Sequence, residues 1–216
     1  YREIFQSFVF SVRSSSGRRF FGYKGGALMG LNQQQKDILL KAAKSRVVSV
    51  VKKKDSGSFA SDDPQLNEHC GCFVTLKNSG RLRGCIGQFI SEEPLTALVQ
   101  KMAEQSVSGD PRFFSDQVTA AELDELDIEI SVLSRLERTD DPLSLKPGRD
   151  GIYIKRGFAS GCFLPQVATE MGWNSEQFLS YCCSHKAGLS PDAWQQEDAE
   201  VYLFTAEVFG KQLRDI

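Results

Sequence analysis

The turn Asn78-Ser79-Gly80 constrains this chain more than any other feature, because it folds two extended runs back on each other. Cys72 to Lys77 leads into it as one strand, and Arg81 to Ile86 returns as the second. Side chains alternate along a strand. Regular alternation therefore places Leu82 and Ile86 on one side with Gly84 between them, and Arg81, Arg83 and Cys85 on the other. A thiol flanked by guanidinium groups favours its thiolate form. The glycines on either side of Cys85 suit either a close backbone approach or a positive φ.

The remaining pattern mixes helices with hairpins. Asn32 and Gln35 have the spacing of a capping box, and apolar residues follow at helical intervals from Ile38 to Val51, closed by Lys52-Lys53-Lys54. Ser91 is read as the cap of a second helix carrying Leu95, Leu98, Val99 and Met102. Thr119 with Glu122, and Asn174 with Gln177, open two more. Ile128, Ile130 and Val132 alternate as a half-buried strand. Gly151 to Arg156 and Gly161 to Leu164 form a hairpin around Gly157 and Ser160, and Glu200 to Phe209 reads as one last strand. This order points to an α+β fold, with mixed or antiparallel sheets packed against helices. A Pro- and Asp-rich break near residues 139–150 divides it.

Charge and cysteine content bound the function. Lys and Arg total 26 against 28 Asp and Glu, a formal charge of -2, which does not favour a dedicated nucleic-acid binder. No apolar run reaches the ~20 residues of a membrane span. Six cysteines, two of them adjacent, in a long core-rich chain read as reduced thiols in a cytoplasmic protein. Met29 precedes the first helix as the natural initiator, making residues 1–28 an extension. A strand from Phe5 to Val12 fits the same residues equally well.

Cys85 is the candidate nucleophile, and a catalytic cysteine needs a base. His69, at the start of the preceding strand, and His185 are the two histidines available. The competing reading makes Cys85 a small buried strand residue. His69, Cys70 and Cys72 together with Cys182, Cys183 and His185 offer zinc-ligand types, but adjacent cysteines on a helix do not converge, so no metal is expected. Arg81, Arg83 and Arg112 suit an anion such as phosphate or carboxylate, with Asp110 as a partner of one of them.

Leu82-Arg83-Gly84-Cys85-Ile86-Gly87 resembles the signature of the AMMECR domain family. Similar agreement runs through Gly71-Cys72-Phe73-Val74-Thr75-Leu76, Asp110-Pro111-Arg112-Phe113, Glu129-Ile130-Ser131-Val132-Leu133, Leu164-Pro165-Gln166-Val167, Gly172-Trp173 and Lys186-Ala187-Gly188-Leu189. The resemblance implies a domain over residues 29–213, two-lobed with a cleft, and no established reaction; no cofactor is expected. It implies an accessory role beside a Memo-like protein and a radical SAM protein. The implied binding residues are Arg81, Arg83, Gly84, Ile86, Gly87, Asp110 and Arg112. The alternative is a cysteine-dependent enzyme performing group transfer or hydrolysis on an anionic substrate through Cys85.

Overall fold

Asn32 and Gln35 each bond the other's backbone N–H and open helix α1, Gln33–Lys52, as their spacing predicts. These bonds satisfy N–H groups that a helix start leaves unpaired. The helix stops where Lys53 turns to φ 52°, so that its N–H returns to the last turn. The computed structural model describes residues 30–216 other than 56 and 58. The two readings of residues 1–28 lie outside the described residues.

The described residues form two compact units, one of residues 134–206 and one of residues 30–133 with 207–216. The boundary falls at Leu133–Ser134, ahead of the 139–150 break read from composition. In the larger unit, β1 (Cys72–Asn78), β2 (Arg81–Gln88), β3 (Leu126–Leu133) and β8 (Ala206–Gln212) make a sheet in the order β2-β1-β3-β8. Both β2 and β3 run antiparallel to β1. Leu39, Leu40, Ala43 and Val47 of α1 join Leu98, Val99 and Met102 of α2 (Leu95–Ser108) in one apolar core. Val74, Leu76, Ile128 and Ile130 of the sheet complete it. Burying each such side chain contributes about 1.5–3 kcal/mol.

The start of α2 corrects one expectation. Ser91 does not cap the helix, which begins at Leu95 behind Pro94. The Ser91 hydroxyl accepts from the N–H of Glu93 instead, closing a local turn. A residue before proline is pushed out of the helical region, which explains the delay.

The smaller unit orders its sheet β4-β7-β5-β6, from Glu137–Arg138, Glu200–Phe204, Gly151–Arg156 and Ala159–Phe163 respectively. Gly157 at φ 59° and Phe158 make the two-residue turn between β5 and β6, so Ser160 lies in the strand rather than in the turn. Ile152, Ile154, Phe163 and Val201 pack with Phe178 and Leu179. Helices α3 (Pro165–Met171) and α4 (Ser175–Tyr181) follow, the second opened by the expected Asn174–Gln177 capping box. A π-helical turn, Cys182–Ala187, then ends at Gly188 with φ 66°. The single last strand expected from Glu200 to Phe209 is two strands in two sheets. They part at Thr205, whose N–H and C=O are taken by Ser134. No described helix is long and apolar enough to cross a membrane.

Candidate functional site

Among the described residues β2 is an edge strand of its sheet, and the signature residues lie along it. The ladder to β1 pairs Leu76 with Gly84 and then Lys77 with Leu82, so Arg83 is an extra residue bulged out of register. A bulge re-aims the side chains around it. Regular alternation fails at that point, and with it the expectation that Arg81 and Arg83 flank the thiol. Both arginines turn instead toward Asp116. Arg83, only 4% exposed, donates from Nη1 to Asp116 at 2.8 Å, from Nε to Glu122 at 2.8 Å and from Nη2 to the carbonyl of Gln117 at 3.2 Å. Arg81, 72% exposed, reaches the same Asp116 at 3.2 Å. Burial opposes the charge on Arg83, but Glu122 and Asp116 outweigh it and raise its pKa.

Asp110 and Arg112 do converge on Cys85, though on its backbone. The Cys85 N–H donates to Asp110 Oδ2 at 3.0 Å, and Arg112 Nη2 donates to the Cys85 carbonyl at 3.1 Å. The two side chains also pair with each other, Arg112 Nη2 to Asp110 Oδ2 at 2.6 Å and Nε to Oδ1 at 2.9 Å. Asp110 caps the short 3-10 turn Pro111–Phe113, accepting from the N–H of Arg112. Burial pushes the Asp110 carboxyl up, yet the Arg112 guanidinium and the Cys85 N–H hold it below the usual carboxylate value. The result is a clamp that fixes the loop after α2 to the outer side of β2.

The glycines of the signature serve close approach, since neither Gly84 nor Gly87 has a positive φ. A Cβ on Gly84 would stand 1.9 Å from the carbonyl oxygen of Ser106 in α2, and one on Gly87 would stand 2.0 Å from the Phe73 ring. Through that contact the Ser106 hydroxyl accepts from the N–H of Ile86 at 3.1 Å and donates to the carbonyl of Val74 at 2.7 Å. Ser106 ties helix to hairpin, and neither its spacing nor its type singles it out in the sequence.

Cys85 itself is 1% exposed, and Thr75 Oγ1 donates to its sulfur at 3.2 Å. Burial pushes the thiol up to about 11, against weaker lowering by Thr75 and by the charge of Arg112. Cys85 is level with Thr75 in the ladder, while His69 lies before Cys72, itself three residues or ~10 Å of strand from Thr75. Burial also raises Cys70, to about 12, and Cys72, Cys182 and Cys183. Among the described residues no group of three or more His, Cys, Asp or Glu is placed to hold a metal ion. What the clamped loop shows outward is Phe114, 61% exposed.

A family model, AMMECR1, matches residues 40–209 of the chain. The chain belongs to the AMMECR1 family. A protein of Methanothermobacter thermautotrophicus is 38% identical over 189 residues, covering 83% of this chain and 95% of that one. A protein of Thermococcus kodakarensis is 40% identical over 187 residues, covering 82% and 90%. The crystal structure of an uncharacterised protein from Pyrococcus horikoshii matches with a TM-score of 0.76 and 38% identity, over 84% of this chain and 94% of that chain. The AMMECR1 match spans every residue of the signature strand and its clamp.

Proposed function

We propose that this AMMECR1-family chain is an interaction protein, acting beside a Memo-like protein and a radical SAM protein. Its contact surface is the loop clamped to β2, with Phe114 and Arg81 facing outward. The use of the signature's polar chemistry as a clamp carries this reading. Asp110 and Arg112 are spent on the Cys85 backbone and on each other, and Arg83 on Asp116 and Glu122. An exposed aromatic on a rigid loop is the kind of residue that dominates protein interfaces. A thiol that is sealed and held protonated is a poor nucleophile, so the cysteine-enzyme reading ranks second.

Co-expression of the full chain with the Memo-like and radical SAM proteins, followed by size-exclusion chromatography, tests it. A complex with at least one of them is expected, weakened about tenfold by Phe114→Ser while the variant keeps its thermal stability. Absence of a complex with either protein would overturn the reading. Cys85→Ser should leave the complex intact.

A further inference from the structure

Helix α1 has a solvent-facing side that the signature site does not use. From residue 38 to residue 54 the chain contains Lys41, Lys44, Arg46, Lys52, Lys53 and Lys54 and no Asp or Glu. Arg46 is paired with Glu104 of α2, and Lys44 Nζ donates to the carbonyl of Ile216 at 3.3 Å. Lys41, Lys52 and Lys54 are exposed and enter no ion pair among the described residues. Attraction to the helix C-terminus accounts for the cations of the last turn. It does not account for Lys41 and Lys44, which stand about two to three turns earlier, although Lys41 also feels the charge of Asp37 one turn before it.

At ~100° per residue, Lys41, Lys44, Ser45, Val48 and Lys52 fall on one stripe about 16 Å long. That stripe borders a concavity of about 340 Å³, closed at one end by Lys54 and Asp55. The Ser49 hydroxyl donates to the carbonyl of Lys54 and holds the chain folded back over the last turn. Val48 lies half-buried against the core, with the lysine chains around it. Lysine stems are apolar and only their ends are charged. The groove is thus an apolar floor inside a rim of four lysines, with Asp55 the one carboxylate at its end.

We infer that this groove docks an acidic amphipathic peptide segment of a protein partner. Its apolar side chains would lie on Val48 and the lysine stems, and its Asp or Glu side chains would meet the ammonium groups. A nucleic-acid strand matches the rim but not the floor, which offers no aromatic or guanidinium plane for bases to stack on. A long polyanion would also run beyond the stripe onto a chain whose formal charge is -2. The groove is on a different element from the clamped loop, so it goes beyond the function proposed above and stands or falls separately.

Fluorescence anisotropy on the full chain tests it, at one fixed ionic strength. The first probe is a labelled Glu/Leu peptide of about 14 residues with Leu at helical spacing. The second has the same composition with Leu scattered, and the third is a single-stranded RNA of equal formal charge. The patterned peptide should bind about tenfold or more tightly than the scattered one. Lys41→Glu/Lys52→Glu should weaken it about tenfold or more with unchanged thermal stability, and Val48→Ser about threefold at a temperature where the variant remains folded. Equal affinity for the two peptides, RNA binding tighter than the patterned peptide, or binding unaffected by the lysine reversal would each overturn the inference.

Discussion

Two arginines two residues apart behave as different kinds of group. Arg83 is buried with three acceptors, whereas Arg81 stands in water beside one carboxylate. Removing one partner of a buried pair is costly, while exposed pairs contribute little. Arg83→Met should destabilise the chain by roughly 2–3 kcal/mol, tempered by the partial exposure of Asp116 and Glu122, and Arg81→Ala by less than about 0.5 kcal/mol. Urea denaturation measures both. Cys85 gives a second residue-scale test. Burial raises its pKa from 9.0 to about 11, which lowers its thiolate fraction at pH 8. Alkylation read by peptide mass mapping should be about 100-fold slower than for a free cysteine on this count alone. Labelling at the ordinary rate in the folded chain would return the enzyme reading to the front. The sequence offered Asp110 as a partner of one of the arginines, and Arg112 is that arginine, but it did not bring the pair to Cys85. Residue type carries charge, and only the fold decides whether backbone or side chain receives it.

Elements announced by their own local chemistry were legible. The pairs Asn32–Gln35, Thr119–Glu122 and Asn174–Gln177 all form capping boxes, because each needs only residues three apart. Elements shaped by distant partners were not. Thr205 breaks a continuous alternating run because Ser134, 71 residues away, takes its N–H. The Arg83 bulge had one trace in the sequence, since an isolated glycine within a strand pattern marks a bulge or a close approach. Gly84 is that glycine, and it supplies the close approach beside the bulge. Gly84→Ala should cost at the upper end of about 1–3 kcal/mol, because the new methyl meets backbone that cannot step aside. Gly80→Ala meets nothing within 4 Å and pays only for φ 79°, about 1–2 kcal/mol. Denaturant midpoints for the two variants should fall in that order. The reverse order would mean that α2 yields at Ser106.

At the scale of the molecule, acid stability reports the clamp. Burial raises Asp110 and Glu122, but hydrogen bonds and the arginines Arg112 and Arg83 win, so both sit below their ordinary 3.8 and 4.5 when folded. The unfolded chain then takes up protons first as the pH falls. Their contribution is complete above about pH 4.5 and is lost as the pH drops through the lowered folded values. Thermal unfolding between pH 6 and pH 3 should show this loss, and Asp110→Asn with Glu122→Gln should flatten it. Parallel curves for wild type and variant would assign the acid sensitivity elsewhere. The α+β class followed from the order of hairpins and helices. The position of the division did not, because composition marks a loop and not the last contact of a core.

An edge strand leaves every second backbone N–H and C=O facing outward, a template on which another chain can build. At the centre of β2 those two groups belong to Cys85, and Asp110 and Arg112 occupy them as a neighbouring strand would. Release of Asp110 by acid or mutation should free these two groups to pair with a second molecule, edge to edge.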